Sequence, residues 1–156
     1  MPKDQLAELT QPQRDRLAFI ELRVRFVGEI RRQDLVARFG IQSAAATRDL
    51  ALYKELSPGN IDYDPKGKAY VLGADFRPVF DYPPERVMSW LTQGFGDGEP
   101  MRLKVWVASE SPSRLTHPDL DVLASVTRAI HQECALAVDY YSISSGKSER
   151  EIVPFA

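Results

Sequence analysis

Between Pro12 and Val27 the apolar residues Leu17, Ile20, Val24 and Val27 recur at helical spacing, and Phe19, Leu22 and Phe26 widen the stripe. The pattern predicts an amphipathic helix. Pro12 suits its first turn, where a missing N–H costs nothing, and Gly28 ends it. A second, shorter apolar face (Leu35, Val36, Phe39) closes at Gly40. Ile41 follows, Gln42 or Ser43 offers an N-cap, and a further helix runs to about Leu56, where Ser57-Pro58-Gly59 stops it. Two short helices joined by a Gly-containing turn form a helix-turn-helix. Gly40 permits the reversal, Ile41 fills the angle, Ala46 is small enough for close packing, and Leu50 and Tyr53 anchor the second helix. Those assignments leave Ser43, Ala44, Thr47, Arg48 and Ala51 on the opposite, exposed face.

Residues 60–72 alternate in the manner of a β-hairpin, with strands Asn60–Tyr63 and Ala69–Leu72 around Asp64-Pro65-Lys66-Gly67-Lys68. A hairpin directly after a helix-turn-helix is a wing, and Lys66 and Lys68 fall at its tip. Beyond Gly73 come a Pro- and aromatic-containing connector (75–84) and an amphipathic helix from Pro84 to Phe95 with Val87, Trp90 and Leu91 on one side. The loop GFGDGEP and the strand-like RLKVWVASE follow, then a helix from Leu120 to Cys134 with the stripe Leu123, Val126, Ile130 and Cys134. The last 22 residues read as two strands around Ser144–Ser148. The expected organisation is a flexible 1–11, a winged helix-turn-helix over 12–73, a linker of helices and a short strand over 74–134, and a β segment over 135–156. The fold class is α+β.

Charge sharpens this division. The net charge of −2 argues against a uniformly basic coat. Residues 1–72, however, hold 12 Lys or Arg against 10 Asp or Glu, a net +2, while residues 73–156 hold 8 against 12, a net −4. Basic patches lie at Arg14, Arg16, Arg23 and Arg25 and at Arg31–Arg32. The single cysteine, Cys134, excludes an internal disulfide framework. The opening MPKDQLAELTQPQRDR lacks the apolar core of a secretory signal, and no apolar run reaches the roughly 18 residues of a membrane span. A cytoplasmic protein with no membrane partner is expected.

Catalytic and cofactor chemistry finds no support in the residues. GxxxxGK[ST], GxSxG and HExxH are all absent. SSGKS at Ser144–Ser148 lacks the leading Gly and spacing of a phosphate loop. His131, Glu133 and Cys134 match no metal-site spacing, and Cys134 reads as a small core residue with His131 near the surface. Asp119 and Asp121 read as favourable charge at a helix N-terminus. No enzyme, cofactor or metal is expected.

Double-stranded DNA is the expected partner. The second helix of the motif fits the major groove, where Arg48 can pair with guanine, Ser43 and Thr47 offer hydroxyls, and Ala44 meets a thymine methyl. Lys66, Lys68, Arg14 and Arg16 are placed to hold phosphates. Tyr63 and Tyr70 are expected to pack across the hairpin. The rival class is a winged-helix protein-interaction module without specific DNA binding, which needs an apolar reading face.

The stretch GIQSAAATRDLALYKELSPGNIDYDPKGKAYVLG, with TRDL at Thr47–Leu50 and SPGNIDYD at Ser57–Asp64, resembles the winged helix-turn-helix of WYL-domain transcriptional regulators. Within them it is most similar to the BrxR/CapW-like repressors of bacterial anti-phage defence islands. LAVDYYSISSGKSEREIVPFA resembles the opening strands of the WYL domain, an Sm-like β-barrel. The Trp-Tyr-Leu signature that names that domain is absent, and Trp90 and Trp106 do not supply it, so the chain is expected to be a fragment. The resemblance implies a homodimeric repressor on a pseudo-palindromic operator in the bacterial nucleoid. An effector, a nucleotide or nucleic-acid fragment, is then sensed by the barrel, with Tyr140, Tyr141, Ser142 and Ser144 lining its pocket.

Overall fold

The structure, a computed structural model, describes residues 6–93 and 118–155. The predicted loop GFGDGEP, the strand RLKVWVASE and His117 lie outside them. The chain divides into two compact units, Met1–Asp81 and Tyr82–Ala156.

In the first unit, helix α1 spans Gln11–Phe26, with Pro12 in its first turn and Thr10 and Gln13 closing its N-terminus. Gly28 follows at φ 98°. A two-residue strand, β1 (Glu29–Ile30), leads into α2 (Arg32–Phe39) and then α3 (Ser43–Leu56). Gly40 adopts the left-handed conformation, φ 63°, and its amide returns to the Val36 carbonyl. This is the C-cap that a residue without Cβ adopts at least cost. The wing consists of β2 (Ile61–Asp64) and β3 (Ala69–Leu72), paired antiparallel from Ile61↔Leu72 to Asp64↔Ala69. Tyr63 and Tyr70 face each other with ring centroids 5.2 Å apart, as expected of a cross-strand aromatic pair.

β1 pairs with β3 and makes a three-stranded sheet of order β1-β3-β2, a strand the periodicity did not predict. Two residues are too few to show alternation. Leu17, Ile20 and Val24 of α1, Leu35 of α2, and Ala46, Leu50 and Tyr53 of α3 close over Ile30 and Ile61 of the sheet, and all of them are buried. Leu6, ahead of α1, is buried too. Gly73 ends the wing where its amide meets the Asn60 carbonyl, and a Cβ there would overlap the Gly59 carbonyl oxygen.

The second unit contains α4 (Pro84–Gln93), α5 (Leu120–Gln132) and a two-stranded antiparallel sheet of β4 (Leu136–Ser142) and β5 (Gly146–Ile152). Val87, Trp90 and Leu91 are buried, as expected. Asp119 caps α5 by accepting from the Asp121 and Val122 amides at 2.8 and 3.1 Å. Two expectations are corrected. Helix α5 stops at Gln132 because Glu133 turns left-handed (φ 52°) and the Cys134 amide bonds back to Ala129 O. Cys134 is therefore exposed rather than a core residue. The hairpin reverses over residues 143–145, ahead of the predicted Ser144–Ser148, because Gly146 supplies the positive φ (75°) that closes a three-residue loop. Neither sheet closes into a barrel among the described residues.

Candidate nucleic-acid interface

The fourteen residues of α3 make a rod about 21 Å long. Its inner face, Ala46, Asp49, Leu50, Tyr53 and Leu56, is buried, so the helix presents one fixed side outward. Ser43, Ala44, Thr47, Arg48 and Ala51 are all exposed on that side, as predicted. The Thr47 hydroxyl donates to the Ser43 carbonyl at 2.9 Å, which leaves its lone pairs and methyl group facing out. Arg48 makes no hydrogen bond or ion pair with the described residues, so its five donors are available to a ligand.

At the wing tip, Asp64 holds the reversal by accepting from the Lys66 and Gly67 amides at 2.9 and 3.0 Å. Lys68 completes the turn at φ 50°, a conformation costly for a residue with a side chain. Lys66 and Lys68 are both exposed. The turn chemistry thus fixes the backbone and leaves two cations projecting into solvent.

Of the two α1 arginines expected on phosphates, Arg14 is exposed and Arg16 is not free for that role. Its guanidinium forks onto Asp49 of α3, Nε to Oδ2 at 2.6 Å and Nη2 to Oδ1 at 3.3 Å. The side chains are only 16% and 6% exposed. Asp49 projects from the inner face of the helix between Arg48 and Leu50, and the Arg16 fork supplies the charge and hydrogen bonds that offset its burial. Arg16 therefore serves as an internal tie between α1 and α3. Elsewhere Arg31 pairs with Glu29 at 2.8 Å, and Arg23 lies 3.7 Å from Asp34.

A second polar cluster went unpredicted. Glu21 is buried in α1, yet its carboxylate accepts from the Tyr53 hydroxyl and from the Val79 and Phe80 amides. Burial raises its pKa above the ordinary carboxylate value, opposed by those hydrogen bonds and by Arg25. Burial, reinforced by the neighbouring Glu21, also raises the Tyr53 phenol and keeps it a hydrogen-bond donor at neutral pH. The signal was present in the sequence: Glu21 sits four residues after Leu17 and three before Val24, on the apolar stripe itself.

In the second unit, Tyr140 and Tyr141 fall on opposite faces of β4 and are 44% and 74% exposed. Arg150 lies 4.2 Å from the Tyr140 ring centroid. Ser142 Oγ and Ser144 Oγ are 3.0 Å apart at the hairpin end. The four residues share the β4 strand and its turn, but nothing in the described residues encloses them. No group of His, Cys, Asp or Glu among the described residues is arranged to hold a metal, and no helix among them is long and apolar enough to cross a membrane.

Residues 12–93 match the BrxR transcriptional regulator winged helix-turn-helix domain. The chain is also similar to proteins described as DNA-binding transcriptional repressor CapW. It is 32% identical to that of Escherichia coli (strain KTE188) over 149 residues, which is 91% of this chain and 50% of the relative. Identity to the Stenotrophomonas maltophilia protein is 30% over 148 residues, 90% of this chain and 49% of the relative. For Pseudomonas aeruginosa it is 28% over 155 residues, 92% and 50%. The chain spans about half the length of these relatives.

Proposed function

Because the chain belongs to the family of BrxR transcriptional regulators through its winged helix-turn-helix domain, we propose that it is a sequence-specific DNA-binding repressor that reads the major groove with α3. The observation that carries this reading is the exposed face of α3. It is polar and small, carries an unpaired Arg48, and is backed by a fully buried inner face. Arg48 reads a guanine through a bidentate contact. Thr47, whose proton is already donated to Ser43, accepts from a base amino group or packs on a thymine methyl; Ser43 and Ala44 complete the contact. Lys66 and Lys68 at the wing tip and Arg14 on α1 hold phosphates and set the register.

The protein acts as a homodimer on a pseudo-palindromic operator in the bacterial cytoplasm, at the nucleoid, and represses an anti-phage defence operon. The β4–β5 hairpin is the start of a WYL domain whose effector, a nucleotide or nucleic-acid fragment, releases the DNA. Tyr140, Tyr141, Ser142 and Ser144 contribute to the effector site. The exposure of Tyr141, Ile143, Val153 and Phe155 supports a further protein layer against this hairpin. A mobility-shift titration with the duplex upstream of the protein's own operon, run at about 50 and 200 mM salt, tests the reading. Tight binding that weakens steeply with salt and exceeds that of a scrambled duplex supports it. Equal binding to both duplexes at both salts refutes sequence-specific reading.

A further inference from the structure

The chain leaves the winged-helix unit through Arg77–Phe80, and side chains rather than secondary structure hold this exit in place. Glu21 Oε1 accepts from the Val79 amide at 3.0 Å and the Phe80 amide at 2.9 Å, and Oε2 accepts from Val79 N at 2.9 Å and from the Tyr53 hydroxyl at 2.8 Å. Asn60, just before β2, accepts from the Arg77 amide through Oδ1 at 2.8 Å. Its Nδ2 donates to the Arg77 carbonyl at 2.8 Å and to the Tyr53 oxygen at 3.0 Å. Glu21, Tyr53 and Asn60 are all buried, and they come from α1, α3 and the root of the wing. Tyr53 is thus the point where the recognition helix meets both side chains that hold the exit segment.

A network of this kind is a poor way to gain stability alone. Burying a carboxylate is costly before its hydrogen bonds are counted, and apolar replacement of such groups is often neutral or better. What it does supply is an attachment that can open. The bonds to Arg77, Val79 and Phe80 are polar and run to Glu21 and Asn60, whereas Leu17, Ile20, Leu50 and Ile61 are buried apolar side chains that take no part in them. Once they break, Glu21 and Asn60 lose the segment that fixes their side chains against the Tyr53 hydroxyl.

We propose that Arg77–Phe80 is a strap that positions the recognition helix. While the strap is attached, Glu21 and Asn60 hold Tyr53, and α3 keeps the pose that binds DNA. A pull along the chain from beyond Asp81 detaches the strap and lowers DNA affinity. Tyr53, Glu21 and Asn60 are positioning residues, remote in chemistry from the base-reading Arg48. The proposal rests on the DNA-binding reading of α3. Coupling is reciprocal, so bound DNA must tighten the strap by the factor by which the strap tightens DNA binding.

The test uses the full chain and a duplex that the chain itself selects from a randomised pool. Hydrogen exchange of the Val79 and Phe80 amides is measured with and without that duplex, and binding is titrated for Tyr53→Phe, Asn60→Ala and the double variant. Tyr53→Phe keeps the ring and removes only the hydroxyl, so it carries the test should Asn60→Ala fail to fold. The strap predicts exchange about fivefold slower on the duplex and single variants about fivefold weaker in binding. It also predicts a double variant weaker by less than the product, because both changes cut one link. In Tyr53→Phe the duplex leaves exchange at Val79 and Phe80 unchanged. Wild-type affinity in folded Tyr53→Phe, or exchange in the wild type that ignores the duplex, overturns the strap and leaves the DNA reading standing. Failure to select any duplex overturns the DNA reading itself, and the strap with it.

Discussion

Replacing Arg16 with Ala separates two roles that a basic residue on α1 can have. In the structure its guanidinium forks onto Asp49 at 2.6 and 3.3 Å, with the carboxylate side chain 6% exposed. At an effective dielectric of about 20, unit charges about 3 Å apart attract by about 5 kcal/mol. Desolvation offsets much of that attraction while the pair is intact. Truncating one partner keeps the desolvation cost of Asp49 and removes the attraction, a change that destabilises buried pairs by about 3–5 kcal/mol. Because Arg16 retains some solvent exposure, we expect about 3 kcal/mol. With an m-value of about 1–1.5 kcal/mol per molar urea, the midpoint falls by about 2–3 M. Circular dichroism of the full chain reports it, since α1, α2 and α3 hold most of the described helical residues. Arg16→Met combined with Asp49→Leu, which removes both charges, recovers most of the loss. If Arg16→Ala leaves the midpoint unchanged and instead lowers the salt dependence of DNA binding, the tie is illusory and Arg16 is a phosphate contact.

Arg48→Ala is expected to lower operator affinity by about 1–3 kcal/mol and to relax discrimination at one base pair, read by titrating single-site operator variants. Lys66→Ala should weaken all duplexes alike and reduce the slope of log K against log salt by about 0.9. Gly73→Ala forces a Cβ against the Gly59 carbonyl and should cost about 2–3 kcal/mol of stability by urea unfolding. Glu21, whose pKa is raised by burial, binds its proton more tightly folded than unfolded. Its contribution is fully present below about pH 4.5 and is lost as pH rises through its raised value; Glu21→Gln should flatten that fall in pH-dependent unfolding.

The helix-turn-helix was legible because local signals agreed with the tertiary structure. Gly40 is left-handed, Ala46 and Leu50 are buried, and Arg48 is exposed, each as spacing predicted. What escaped prediction depends on partners far away in the chain. Arg16 and Asp49 lie 33 residues apart, and each alone resembles a solvated surface charge. Val79 and Phe80 reach Glu21 across 58 and 59 residues through backbone amides, which no side-chain pattern reports. β1 is only two residues long, and its pairing with Val71 and Tyr70 is tertiary information. The Glu133 turn that ends α5 early uses a residue with no local preference for positive φ.

The central claim is that α3 reads base sequence through Arg48. The most direct measurement is a paired selection from one randomised duplex pool with the wild type and with Arg48→Ala, followed by titration of the winning duplexes. The account predicts a wild-type consensus containing a guanine whose preference disappears in the variant while the remaining positions persist. Identical consensus sequences from the two proteins, bound with equal affinity, would contradict it.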